Sequence, residues 1–576
     1  MARIRKVEIR NFRALRALDW CPNEGINCLI GSGDSGKSTI LDAIDLCLGA
    51  RRNLAVADTD FFGLDVTQDI GISLTLGSLS DPLKNIDTYG DYLRGFDAAK
   101  GAIEDEPRKG LETVLTLRLT VKADLEPEWS LYSDRTAANE FSRGLAWKDR
   151  SALAPARLGN HPSSNLSWTR GSVLNRLSEE RADIGTELIR AAREARAGFG
   201  DKAAPQLAAT LNTVTSTAKS LGVPIGASAT ALLDAHSVSF GDGAISLHSE
   251  SGIPLRSLGT GSSRLLIAGL HRAAAEAASI VLVDEIEYGL EPHRLTRLLS
   301  SLGAKEKMAP LQVFMTSHSP VVLRELTGAQ LFVVRPDSTG HLVLQVGNDD
   351  DVQSTIRCYP EAFLARTVIV CEGASEVGLI RGLDDYWTSQ GYASLQAAGV
   401  SYVDTAGGDP DRCFYRGRAF QKLGYRVAAV QDNDKTPTAS VVAEFIAAGG
   451  YLLAWRNGRA LEDELFASVP SREVSALISR AQELNQDGLV EQHIKTKSSG
   501  KVDLAAVLQD GIDNAFSPTT RALLGESSRI RKAGWFKSIT KMEGVAHDIL
   551  APNLEASDQD FRDLVLNLFK WAHRNA

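Results

Sequence analysis

Apolar and charged positions alternate at the start of the chain. Ile4, Val7 and Ile9 fall among Arg3, Arg5, Lys6, Glu8 and Arg10, the pattern of an edge strand, with a turn at Asn11-Phe12-Arg13. Ile26, Cys28, Leu29 and Ile30 form an apolar run that predicts a buried strand, and Thr39-Ile40-Leu41-Asp42-Ala43-Ile44 has helical spacing. Strands are predicted again at 70–76 and 113–121 by period-two alternation. The stretches 78–110 and 133–170, rich in Asp, Ser, Gly, Asn and Pro, read as polar surface connections. Over 174–221 the period becomes helical. Leu177, Ile184, Leu188, Ala191 and Ala195 share one face, and Leu207, Leu211, Val214, Ala218 and Leu221 another, with Gly198–Ala204 between them. This predicts an inserted helical hairpin, either a dimerisation arm or two core helices. Strand patterns follow at 235–240 and 244–248, then a helix reaching about Ala278. Ile280-Val281-Leu282-Val283 is a pure apolar strand, followed by a helix at 293–302 and a buried strand at 311–316.

A second alternation of strands and helices begins near 366. Strands are predicted at 367–371, 401–404, 426–430 and 451–455, with helices at 377–387, 441–448 and 461–467 and an amphipathic helix closing the chain at 558–574, with Leu564, Leu568 and Trp571 on one face. Strands interleaved with helices imply a parallel sheet. The fold class is therefore α/β. One domain is expected over 1–355, with an inserted helical segment at 174–221, and a second over 356–576, the boundary falling in the acidic stretch Gly347-Asn348-Asp349-Asp350-Asp351.

A length of 576 residues fits more than one domain. The net charge of −9 does not advertise a nucleic-acid partner, nor does it forbid a local basic surface. The six cysteines are scattered without a Cys-x-x-Cys pair, which argues against a disulfide framework or a zinc site and for a reducing cytoplasm. No secretory leader pattern opens the chain and no apolar run is long enough to span a bilayer. A cytoplasmic protein without membrane contact is expected.

The chemistry concentrates in a few places. Gly31-Ser32-Gly33-Asp34-Ser35-Gly36-Lys37-Ser38, followed by Thr39, fits the phosphate-binding loop G-x-x-x-x-G-K-[ST] in its proper setting between strand and helix. Its backbone N–H groups would cradle the phosphates of ATP, Lys37 would reach the β- and γ-phosphates, and Ser38 would hold Mg²⁺. Asp284-Glu285, at the end of an apolar strand, supplies what such a loop needs next: Asp284 to hold Mg²⁺ through water, and Glu285 to polarise the attacking water. In the second half, Glu372 with Glu376, Asp432-x-Asp434, and Glu462-Asp463-Glu464 all follow predicted strands. Residues beyond the carboxyl ends of parallel strands face one crevice, and carboxylates gathered there without His or Cys favour Mg²⁺ or Mn²⁺. Arg529-Ile530-Arg531-Lys532-Ala533-Gly534-Trp535-Phe536-Lys537 is basic with interleaved aromatics, and Lys495, Lys497 and Lys501 form another basic cluster. These cations suit phosphates.

The order of phosphate loop, Ser257-Leu258-Gly259-Thr260-Gly261-Ser262-Ser263, Val-Leu-Val-Asp-Glu, Gly289-Leu290-Glu291-Pro292-His293 and Thr316-Ser317-His318-Ser319 resembles an ABC-type ATPase of the SMC/RecF-like branch. The resemblance implies that Ser257, Gly259 and Gly261 lie in a signature that caps ATP bound to a second copy. It makes His318 the switch histidine on the γ-phosphate. Gly259 stands where the family usually has serine, so Ser257, Thr260 or Ser262 would supply the hydroxyl. Val-Ile-Val-Cys-Glu-Gly-x-x-x-Glu followed by Asp-x-Asp resembles a TOPRIM domain. An ABC-type ATPase joined to TOPRIM resembles the OLD (overcoming lysogenisation defect) nucleases, which include the nuclease subunit of Gabija-type phage defence. That resemblance covers essentially the whole chain. It implies divalent-metal-dependent cleavage of DNA with Glu372, Glu376, Asp432, Asp434 and Glu462 as ligands to two ions, one activating water and the other steadying the leaving oxygen. It also implies a lysine near the metals, for which Lys537 is chosen over Lys532 and Lys541. A homodimer or dimer of dimers is expected, with a helicase or other defence partner left open. An ATP-gated DNA clamp that recruits an effector without cutting is the competing reading, and RNA is an alternative target.

Overall fold

Strands form where apolar runs are bounded by turn residues, and helices where the spacing lengthens. The computed structural model describes residues 2–51, 54–139, 141–158, 181–220, 226–229, 247–273, 279–456, 458–530 and 533–574. Contacts divide the chain into two compact units. The first comprises Met1–Ile9, Cys21–Asn27 and Ile40–Thr316, the second Arg10–Trp20, Cys28–Thr39 and Ser317–Ala576. The sequence suggests a single cut at 355–356, whereas these units interleave. The reason is strand pairing: Cys28–Ile30 pairs in parallel with Leu331–Val333, and Leu18 pairs with His341.

In the first unit the strand Ile70–Gly77 pairs antiparallel with Glu112–Val121, which also pairs with Leu93–Asp97 and Pro127–Tyr132. Residues opposite one another share a face, so Ile72, Leu74 and Leu76 bury with Leu119, Leu117 and Leu115. A parallel group is made by Ile280–Val283, flanked by Ala156–Leu158 and Gln312–Thr316. The expectation that 78–110 and 133–170 are polar connections needs correction. The first contains the strands Leu93–Asp97 and Ala102–Glu104. The second contains the helices Asp134–Ala138 and Trp147–Leu153 and the strand Ala156–Leu158. Leu93 and Phe96 are buried there; short apolar pairs inside a polar stretch were enough.

The hairpin expected within 174–221 is also corrected. Arg181–Ser220 is one helix of 40 residues, running through Gly198, Gly200 and Pro205. A glycine costs a helix only about 1 kcal/mol, and the proline removes one hydrogen bond, so neither forces a reversal. Leu207 and Val214 are exposed on it and Ala218 is buried. Residues 174–180, and the strands expected at 235–240 and before 247, lie outside the described residues.

In the second unit Leu331–Asp337 runs antiparallel to Gly340–Gln345. A separate sheet of four parallel strands has the order Val400–Asp404, Thr367–Cys371, Arg426–Gln431, Tyr451–Ala454. Every residue of the central strand Thr367–Cys371 is buried, which explains why it reads as a continuous apolar run. Helices Ala374–Ser389, Arg412–Lys422, Ala439–Ala447 and Leu461–Ser468 connect or follow the strands; the second of these was not anticipated. The closing helix Gln559–His573 buries Phe561, Val565, Leu568, Phe569 and Ala572, so its buried face is rotated from the Leu564–Leu568–Trp571 face expected. Among the described residues no helix is long and apolar enough to cross a membrane.

Helix Ala374–Ser389 carries two glycines where helix Ile539–Val545 and the turn after it press against it. A Cβ on Gly378 would come 2.5 Å from the Ile539 carbonyl oxygen, and one on Gly382 would overlap the Glu543 carbonyl oxygen and the Ala546 side chain. The obstacles are mostly backbone and cannot rotate away. Gly382→Ala is therefore expected to destabilise this unit by about 1–3 kcal/mol, read as a lowered midpoint of its unfolding transition in denaturant. An unchanged midpoint would mean that the two helices separate freely.

Candidate functional site

The buried strand Ile26–Ile30 ends at Gly31, whose φ of 134° and a Val334 carbonyl 2.8 Å from where a Cβ would sit leave room only for glycine. Asp34, at φ 57°, and Gly36, at φ 86°, close the loop before the helix Lys37–Leu48. Ser35 is buried, and Gly33 faces open space. The Lys37 ammonium is buried over the loop and donates to the Gly31 carbonyl (3.2 Å), the Ser32 carbonyl (2.7 Å) and Ser35 Oγ (3.1 Å). Ser38, exposed, and Thr39 follow in the first helical turn. Inward-turned N–H groups at a helix start suit phosphate oxygens. His318, exposed after the strand Gln312–Thr316, lies in the same unit as this loop.

Asp284 and Glu285 lie in the other unit, just past Ile280–Val283. Thr316 Oγ1 donates to Asp284 Oδ1 at 2.6 Å and accepts from the Glu285 N–H at 2.8 Å, so one hydroxyl fixes both acids. Glu285 sits at φ 45°, a conformation uncommon for a residue with a side chain. The signature segment runs from the turn Leu255–Ser257 through Gly259, which faces open space, into the helix Thr260–Ala273. A Cβ on Gly261 would lie 2.7 Å from the Gly289 carbonyl.

The acids of the second unit gather at the ends of neighbouring strands. Cys371 pairs with Val430, so Glu372 and Asp432 leave the sheet at nearly the same level. Glu372 Oε2 accepts the Asp432 N–H at 3.2 Å, and Asp432 Oδ1 accepts the Leu461 N–H at 2.9 Å, which ties the start of the third acidic segment to the second. Glu376 Oε2 accepts the Gly373 N–H at 2.9 Å and caps its own helix. Glu372, Glu376 and Glu462 are all less than a tenth exposed.

Burial followed by mutual repulsion raises these carboxyls. Glu372 is pushed up to about 7 by desolvation and then by the charges of Asp432 and Asp434. Glu462 also reaches about 7, through desolvation and Asp432. Asp432 rises to about 6, mainly through desolvation, against the Leu461 N–H that favours its charged form. Glu376, in contact with the fields of Asp432 and Glu462, is displaced well upward. Among the described residues, Glu462 Oε1 is buried without a hydrogen-bond partner.

Cations answer this cluster from one segment. Arg529 pairs with Asp434 at 2.8 Å and with Asp463 at 3.0 Å. Trp535 and Phe536 are fully buried, and Trp535 Nε1 donates to His493 Nδ1 at 3.1 Å. They anchor the next residue, Lys537, whose charge favours the ionised forms of both Asp432 and Glu462. Lys541 instead donates to Asn485 Oδ1 at 2.9 Å, and Lys532 lies outside the described residues. The donor set is all oxygen and includes an unsatisfied one, which fits Mg²⁺ or Mn²⁺ in kind. With Asp434 engaged by Arg529, no three acidic, His or Cys side chains among the described residues stand as a formed cage. Sequence reasoning missed Thr316 as the anchor of Asp284, and Arg529 as the partner of Asp434; an Arg in a basic stretch gives no sign of which acid it meets.

Residues 26–324, just over half the chain, match the family model described as "AAA domain, putative AbiEii toxin, Type IV TA system". The chain belongs to this AAA family. Its matched span holds the phosphate loop, Asp284, Glu285 and His318, and the AAA chain thus carries an ATPase domain. An OLD nuclease of Thermus scotoductus is 22% identical over 377 residues, 60% of this chain and 65% of that protein, so the chain spans less than two thirds of that relative. Partial structural likeness extends to an SMC head bound to the C-winged-helix domain of ScpA (TM-score 0.34, 14% identity, 59% of this chain and 96% of that one). It extends also to the SMC head domain of Thermotoga maritima (TM-score 0.29, 13% identity, 60% and 99%) and to the recombination mediator RecF (TM-score 0.29, 11% identity, 60% and 98%). Likeness at these scores assigns no residue.

The raised carboxyls give the AAA chain a pH signature. A carboxyl raised on folding holds its proton in the folded state where the unfolded chain has lost it. Stability is therefore fullest below the unfolded value near 4 and declines as pH climbs through 6 to 7. In chelator, the melting midpoint of this unit is expected to fall by several degrees between pH 5 and pH 8. Mn²⁺ should recover much of the loss at pH 8, and Glu462→Gln should flatten the profile. A midpoint insensitive to both pH and Mn²⁺ would remove the acids from any shared site.

Proposed function

We propose that this chain is an ATP-hydrolysing, divalent-metal-dependent nuclease of the OLD kind, with an ABC-type ATPase and a TOPRIM nuclease site. The observation that carries the reading is the gathering of Glu372, Glu376, Asp432 and Glu462 at successive strand ends, the three glutamates buried and all four with raised proton affinities. Such a cluster is costly unless cations enter it. The oxygen-only donors select Mg²⁺ or Mn²⁺, which when bound would supply water activation and stabilisation of the departing oxygen in phosphodiester hydrolysis. Glu372, Glu376, Asp432, Asp434 and Glu462 would hold the ions. Lys537, held by Trp535 and Phe536, would meet a substrate phosphate oxygen.

In the ATPase, Gly31–Thr39 would bind the phosphates, and Ser38 and Asp284 would hold Mg²⁺. Glu285 would orient the attacking water, and His318 would meet the γ-phosphate. The motif order supports a dimer in which Ser257–Ser263 of one copy caps ATP on the other. DNA is the proposed substrate, on the strength of the OLD nuclease relative, and a cytoplasmic role in phage defence or DNA processing follows from the same reading. The pairing of Arg529 with Asp434 favours a second reading, a DNA clamp or sensor whose acids are permanently neutralised.

Plasmid cleavage by purified protein separates the two. With Mg²⁺ or Mn²⁺, nicking or linearisation is expected from the wild type and none from Asp432→Ala, and an RNA substrate run in parallel reads target preference. Intact DNA with both proteins, alongside continuing ATP hydrolysis, would turn the assignment to the clamp. Lys37→Ala is expected to reduce ATP turnover to background while metal-dependent cutting survives. Loss of both from a folded, assembled protein would overturn the independence of the two chemistries.

A further inference from the structure

Arg264 is one of the largest fully buried side chains, 1% exposed, inside the helix Thr260–Ala273. Its guanidinium sits within the field of Glu287, Glu285 and Asp284. It collects main-chain carbonyls: Nη1 donates to Glu285 O (3.0 Å), Ile286 O (3.3 Å) and Tyr288 O (2.9 Å), and Nη2 to Asp284 O (3.1 Å). One planar fork therefore fixes the whole turn that follows the strand Ile280–Val283, including Glu285 in its left-handed conformation.

Two further contacts join the same pieces of chain. A Cβ on Gly289 would meet Thr260 Cγ2 at 3.0 Å, and one on Gly261 the Gly289 carbonyl at 2.7 Å, so Gly289 packs directly on Gly261 and on the Thr260 side chain. Arg294 Nη1 also donates to Ser262 Oγ at 3.0 Å. The Thr260–Arg264 helix start and the Asp284–Arg294 segment are thus joined at three levels, with Arg264 at the buried one.

We propose that Arg264 is a positioning residue of the ATPase: it locks Asp284 and Glu285 to the helix start of the Ser257–Ser263 segment, so that the two move as one body. Whatever seats on Ser257–Ser263 then sets the aim of Glu285. This rests on Glu285 acting in ATP hydrolysis. A lysine cannot replace the fork, because a single ammonium has three donors on one centre and cannot span four carbonyls.

The test is a double-mutant cycle on ATP turnover with Arg264→Lys, Arg264→Gln and Glu285→Gln, alongside melting midpoints and KM. Each Arg264 variant is expected to lower kcat about 10–100-fold with KM within about twofold, and to add nothing further in the Glu285→Gln background. A purely structural arginine would instead lower the midpoint and the fraction of active sites, leaving turnover per active site unchanged. Losses that multiply with those of Glu285→Gln, or that follow stability alone, overturn the proposal. If Glu285→Gln itself turns over at the wild-type rate, the fault lies with the assignment of Glu285. Hydrogen exchange on the wild type needs no variant: amides of 285–290 and 261–264 are expected to open together, and opening at different rates counts against a single body.

Discussion

Repulsion among carboxylates taken out of water is the constraint on which the second unit depends. Glu372, Glu376, Asp432 and Glu462 are placed by a parallel sheet whose central strand is buried along its whole length. The sheet's register brings the first two acidic segments to one level, and the Leu461 N–H brings the third to Asp432. Having assembled four acids, the fold must neutralise them by protons, by cations of its own, or by ions from solution. The raised proton affinities show the first response, and Arg529 and Lys537 show the second. The glycines at 378 and 382 serve the same end, since the close helix contact fixes the segment that follows the Trp535-Phe536 anchor.

The first unit solves a different problem at an equivalent place. Where Ile280–Val283 ends, ladder hydrogen bonds stop and the chain turns through a left-handed residue. Thr316 holds the acids from the side of the neighbouring strand, and Arg264 holds the carbonyls from the helix. Polar satisfaction of this turn is thus assigned to residues distant in sequence. That arrangement is rigid only while all of the partners remain in place.

Much of this was legible from spacing alone. The phosphate loop was recognisable because its conformational needs are met by particular residue types: Gly31 and Gly36 occupy backbone conformations or close approaches that other residues do not tolerate. The two inner parallel strands, Thr367–Cys371 and Arg426–Gln431, were legible because two-sided burial leaves a nearly unbroken apolar run. The helix Arg181–Ser220 reads as a hairpin when the Gly198–Ala204 stretch is treated as a break, although a helix of that length absorbs it and Pro205 as well. The strands within 78–110 were hidden because a two-residue apolar signal is lost in a polar average. Arg264, Thr316 and Arg529 were invisible for a deeper reason. Their roles are set by partners between 20 and 95 positions away, and no local pattern encodes such a pairing.

Arg529 bears directly on whether the acids serve chemistry or only architecture. Were they architectural, selection for stability alone would favour replacing buried, mutually repelling acids with apolar side chains of similar volume, since buried ionic groups seldom stabilise more than such packing. Arg529 reaches only Asp434 and Asp463, which lie at the edge of the group, and leaves Glu462 Oε1 without a hydrogen bond. Lys537 stays exposed beside the pair it influences. A permanent structural salt bridge would seat its cations among the most buried acids. Here Arg529 stands on Asp434 and Asp463, and the most buried acids, Glu376 and Glu462, answer their burial with raised proton affinity instead.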